Sequence, residues 1–179
     1  MKVTFTRTGA RRYRVSVEGP GIVSSWMEPA AGFDELLPHD MAHFVVENEL
    51  GIRGGVFGQL AEGGNARTFH PVDRDKRRKL ARRGDRLATT NRDDANFSER
   101  VVAIACQFWK EPGSEISSQQ GVAADDIRKV CREFDKVSAV WSRLSIGESI
   151  TLEWSGPANL RSGRRLASHK SRMSPVQKA

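Results

Sequence analysis

The chain is poor in cysteine, with two in 179 residues, and it has one tyrosine and no long apolar run. Each shortage narrows the field. Cys106 and Cys131 both fall in stretches that read as helical and apolar, so they are expected as small buried hydrophobes, not as a disulfide or a metal pair. The longest apolar run, Val101 to Cys106, falls far short of the roughly 18 residues a membrane span requires, so no membrane partner is expected. The opening segment Met1-Lys2-Val3-Thr4-Phe5-Thr6-Arg7 alternates polar and apolar residues and lacks the apolar block of a secretory leader. These features together point to a cytoplasmic protein.

What is present is a core and a lopsided charge. Four Trp and eight Phe supply large apolar side chains for burial. The net charge is +7, yet eight Lys/Arg against two Asp crowd between Arg74 and Arg86, and six Lys/Arg with no acid lie between Arg161 and Ala179. The remaining residues are mildly acidic. Basic charge concentrated in this way offers two sites for nucleic acid or an acidic protein, with a solvated face as the plainer reading.

Periodicity predicts an α+β fold in which a small antiparallel sheet, built from N-terminal strands and a C-terminal strand, packs against amphipathic helices. Residues 2–7 and 11–18 alternate, with Val3, Phe5, Tyr13, Val15 and Val17 on one face. Gly9 and Gly19-Pro20-Gly21 mark turns, and residues 22–27 read as a third strand. Pro38 opens a helix that Gly51 closes, since proline suits a first helical turn and glycine the left-handed end. A short helix follows at 56–62. Residues 65–95 are polar and basic, and read as either an exposed helix or a mobile insertion. Asn96 with Glu99 three residues on has capping-box spacing, which predicts a helix starting there and carrying Val101, Val102, Ala105, Phe108 and Trp109. From about Ala123 to Leu144, Ile127, Val130, Cys131, Phe134, Val137, Trp141 and Leu144 recur at steps of three and four. Ile150, Leu152 and Trp154 return to period two. The domain is expected to span 1–156, with 157–179 a basic disordered tail.

One segment carries chemistry. In Leu37-Pro38-His39-Asp40-Met41-Ala42-His43 two histidines stand four residues apart, on one helix face, with Cβ atoms about 5–6 Å apart. That spacing lets His39 and His43 share one zinc ion. The pattern resembles the H-E-x-x-H motif of zincins, whose glutamate is the general base; Asp40 stands in that place, one methylene shorter. The resemblance spans five residues and implies a zinc hydrolase. A third ligand is needed, and His70, Glu62 and Glu47 are the candidates. Glu47 would have to reach back about 12 Å along the helix from His39, so His70 or Glu62 is better spaced. Asp34, Glu35 or Glu47 is expected to hold the imidazole nitrogens turned away from the metal. The plainer alternative stays open: Asp40 favours the helix N-terminus electrostatically, and the histidines are partly buried polar residues. The His39-Asp40 pair is also similar to that of HD phosphohydrolases, whose companion motifs the chain lacks.

The longer run Leu37-Pro38-His39-Asp40-x-x-His43-Phe44-x-Val46-Glu47-x-x-Leu50-Gly51, with Gly147-Glu148-Ser149-Ile150-Thr151-Leu152-Glu153-Trp154, resembles a family of small uncharacterised bacterial proteins. That resemblance covers roughly the first 155 residues. It implies a bacterial origin and supplies no activity.

Overall fold

A computed structural model describes residues 1–111 and 121–155. The strands are β1 (Lys2–Gly9), β2 (Arg12–Glu18), β3 (Ser25–Met27), β4 (His70–Pro71) and β5 (Ser149–Glu153). The helices are α1 (His39–Leu50), α2 (Val56–Ala61), α3 (Arg77–Thr90), α4 (Arg92–Lys110) and α5 (Ala124–Trp141). The fold is α+β, as the alternation implies. The sheet order is β4-β3-β2-β1-β5 and all four pairings are antiparallel.

Register decides which residues meet. Val3 lies opposite Val17 and Leu152, and Phe5 opposite Val15 and Ile150, so the apolar residues of three strands stack on one face. Val3, Phe5, Tyr13 and Val15 are fully buried there, while Ile150 and Leu152 are half-buried on the edge strand. The opposite face carries Thr4, Thr6, Arg14 and Ser16 and stays polar. Thr4 and Thr6 extend the β1–β5 pairing through their hydroxyls, to Thr151 at 2.9 Å and Ser149 at 3.1 Å.

Helices cover the apolar face. Phe44 of α1 and Phe57 of α2 meet Phe5 edge-on or tilted, and Trp141 of α5 meets Tyr13 edge-on at 5.9 Å. Trp141 is fully buried without leaving its indole N–H unpaired, since Nε1 donates to the Asp34 carbonyl at 3.0 Å. On α5 the read stripe is the packed one: Ile127, Val130, Phe134, Val137 and Trp141 are buried. Seven consecutive residues of α1, Met41 to Glu47, are buried, because sheet, α2, α4 and α5 surround this helix. A polar residue in that run therefore has to find its partners inside the protein.

Three readings of the sequence differ from the structure. The third strand is shorter, because only Ser25 to Met27 pair with β2. Residues 65–95 hold β4, a 3₁₀ turn at Arg74–Lys76, helix α3 and the start of α4, where the sequence showed a single exposed helix or a loop. Three well-spaced small or apolar residues, Leu80, Gly84 and Leu87, suffice to dock α3. Asn96 is no cap: α4 begins at Arg92, with Asp93 and Asp94 in its first turn, where carboxylates offset the helix dipole. Asp94 also accepts the Gly54 N–H at 2.9 Å, tying the α1–α2 connection to the start of α4. The proposed tail lies outside the described residues, and no helix among those described is long and apolar enough to cross a membrane.

Candidate metal centre

Helix α1 begins where sequence and geometry agree. Pro38 precedes the first helical residue, and Gly51 ends the helix in the left-handed conformation at φ 66°, its N–H returning to the Glu47 carbonyl. His39 sits exposed in the first turn and His43 lies buried one turn on. Their Nε2 atoms approach to 3.2 Å. Glu99 of α4 completes the group, with Oε2 at 3.3 Å from His43 Nε2. One donor atom from each of His39, His43 and Glu99 lies within 4.8 Å of the other two. Two ligands bound to zinc at 2.0–2.1 Å in tetrahedral geometry stand about 3.3–3.4 Å apart. The two measured separations are close to that value.

The rest of the site fixes the buried imidazole. Glu47 is fully buried, and its carboxylate accepts N–H bonds from Val56 and Phe57, both at 2.8 Å, at the start of α2. Its Oε1 also receives the Ser98 hydroxyl at 3.1 Å, and His43 Nδ1 stands 3.0 Å from the same hydroxyl oxygen. A hydroxyl has one hydrogen to give. Ser98 gives it to Glu47, so its oxygen must accept from His43 Nδ1–H. This chain, His43 to Ser98 to Glu47, leaves Nε2 as the lone-pair nitrogen of a neutral ring. That lone pair faces His39 Nε2 and the Glu99 carboxylate. His39 can meet it with an Nε2–H, whereas the Glu99 carboxylate is an acceptor and needs a proton or a metal ion between its oxygen and the lone pair. Burial opposes charge on His43, yet its pKa is raised, because the Glu47 interaction and the charges of Glu99 and Asp40 outweigh that penalty.

Asp40 takes a different place. One of its oxygens accepts the Tyr13 hydroxyl of β2, which also contacts the Ala31 carbonyl. Burial holds the Asp40 carboxyl above its usual range, partly offset by that hydrogen bond and by the two imidazoles. Tyr13 is raised as well, by burial and then by the Asp40 charge. Beside the His/Glu group opens a cleft of about 320 Å³, bounded by Gly32, Phe33, Leu37, Val102 and Lys110, with His39 and Glu99 on its wall. Asp40 is not among the residues lining it.

The structure therefore brings His39 and His43 together as their spacing requires, and it supplies a third donor that sequence reading missed. His70 lies exposed on β4 against Trp26, and Glu62 caps the end of α2 on the surface; neither belongs to the group. Glu47 is engaged by two backbone N–H groups and Ser98, and it is not part of the group. Asp34 serves the chain instead, accepting N–H bonds from Leu36 and Leu37 and pairing with Lys110 at 3.1 Å. One signal for α4 was present. Ser98 precedes Val101, Val102 and Ala105 at helical spacing, which places a hydroxyl on a buried stripe. No family model, curated protein or solved structure matches this chain.

Proposed function

We propose that the protein binds a zinc ion through His39, His43 and Glu99 and presents it to the adjacent cleft as a hydrolytic centre. The observation that carries this reading is the convergence of three donor atoms from two helices beside an open cleft. Three protein ligands with a remaining position for water are the arrangement of catalytic zinc sites, and zinc itself lowers the pKa of bound water to about 7. The Ser98–Glu47 chain supports the reading further, because it fixes the tautomer that a zinc-bound histidine needs. In this reading Asp40 orients the first turn of α1 through Tyr13 and is not the proton acceptor.

Metal analysis of protein purified without a His tag is the direct test. One zinc per chain is expected, lost in His43→Ala and in Glu99→Ala, with the helical content of both variants retained. Absence of zinc even after incubation with excess metal would end the proposal. Activity is then sought on ester, peptide and phosphate-ester substrates. Asp40→Asn should keep zinc and keep any turnover within about tenfold, whereas a general base would cost about a hundredfold or more.

A further inference from the structure

Helix α3 is sharply two-sided. Leu80, Gly84 and Leu87 are buried against the domain. Arg78, Lys79, Arg82, Arg83 and Arg86 are all exposed. At about 100° per residue, these five cations fall within an arc of about 140°, on the side away from the buried stripe. They run about 12 Å along the axis, from Arg78 to Arg86. With Asp75 they bound one shallow concavity, so the arc carries five cations and a single carboxylate. The neighbouring acids are engaged by cations off this arc: Asp73 by Lys76 at 3.4 Å and Asp85 by Arg67 at 3.5 Å. Among the described residues, none of the five cations is ion-paired.

The charges on this face do not stabilise the helix that carries them. Like charges at i, i+4 repel, as Arg78, Arg82 and Arg86 do in one row and Lys79 and Arg83 in the next. These repulsions cost helix stability, and no ion pair among the described residues offsets them. A polyanion reverses the sign of that term. Four of the five are arginines, whose planar forks match phosphate oxygens two at a time.

We infer that the exposed face of α3 binds the phosphate backbone of B-form DNA, independently of base sequence. An α-helix with side chains is about 10–12 Å across and fits the B-DNA major groove, about 12 Å wide, with cations of both rows reaching phosphates on the two rims. The deep, narrow major groove of an A-form RNA duplex does not admit it. This inference is independent of the metal reading, since no ligand of that site lies on α3.

The test measures binding of the full chain to a 20-base-pair DNA duplex by fluorescence anisotropy between 50 and 200 mM salt. Five phosphate contacts give a slope of log affinity against log salt of about −4.5, or a loss of about 500-fold over that range. Replacing Arg78, Arg82 and Arg86 by glutamine leaves helix propensity nearly unchanged and should make the slope shallower by about 2.7. The basic residues between Arg161 and Ala179 stay the same in both proteins, so the difference in slope reports α3 alone. A control variant with Arg132, Lys136 and Arg143 changed to glutamine alters net charge equally on other surfaces and should shift the slope by less than about 1. Three results would overturn the inference: no DNA binding at 50 mM salt, equal slopes in the α3 variant and the parent, or tighter binding to an RNA duplex than to DNA.

Discussion

Replacing Glu47 by glutamine is the sharpest perturbation of this fold, because the change in volume is negligible and the change in chemistry is not. The buried carboxylate receives Val56 N–H and the Ser98 hydroxyl on Oε1, and Phe57 N–H on Oε2. A carboxamide has one acceptor oxygen. Placed at the Oε1 position it keeps Val56 and Ser98, and its NH₂ then faces the Phe57 N–H. Leaving one buried donor unmatched costs about 1–3 kcal/mol. Losing the negative charge at the N-terminus of α2 adds about 0.3–1 kcal/mol, and more in so buried a setting. The expected loss is about 2–4 kcal/mol, which for a chain of this size lowers Tm by about 4–16 °C. Urea unfolding followed by tryptophan fluorescence, to which the buried Trp141 contributes, measures it. A variant within about 0.5 kcal/mol of the parent, with unchanged slope in urea, would refute the assignment of Glu47 as a pinned acceptor. On the zinc reading the same variant should bind the metal about 10–100-fold more weakly, because the Ser98 hydroxyl behind His43 then donates to a neutral amide in place of a carboxylate.

Phe134→Ala, in the fully buried stripe of α5, should cost about 3–5 kcal/mol in the same urea assay; an unchanged midpoint would contradict the packing. Gly55→Ala tests a steric point, since a Cβ there would collide with the Glu47 carboxylate even though the backbone, at φ −73°, suits alanine. It should destabilise by about 1–3 kcal/mol, where alanine at an open site would stabilise slightly. The Cys131 thiol is pushed up to about 11, by burial first and then by the charges of Asp135 and Cys106. Because only the thiolate reacts, alkylation followed by mass spectrometry should be about 100-fold slower at pH 8 than for an ordinary thiol. The rate should still be climbing almost tenfold per pH unit between pH 9 and 10; a curve that bends near pH 9 and is flat above about pH 10 would show the thiol to be unperturbed.

Periodic patterning was enough to place the elements that bury one face. The alternation of Val3, Phe5, Tyr13 and Val15 gave strands, and the spacing of Ile127, Val130, Phe134 and Trp141 gave α5, since both patterns report a local repeat of the backbone. Pro38 and Gly51 bounded α1 because their own φ preferences act within one residue. His39 and His43 were legible for the same reason: a helix alone puts i and i+4 side by side. Glu99 was not. Fifty-six residues separate it from His43, and only the packing of α4 on α1 brings the carboxylate to 3.3 Å from the imidazole. The roles of Glu47 and Asp40 were also tertiary matters. Glu47 is held by a helix start that a loop folds back onto it, and Asp40 is drawn to a tyrosine on β2. A side chain's type is fixed by its codon and its helix face by local geometry, but its partners are set by which elements meet, and that is decided by burial of the whole core.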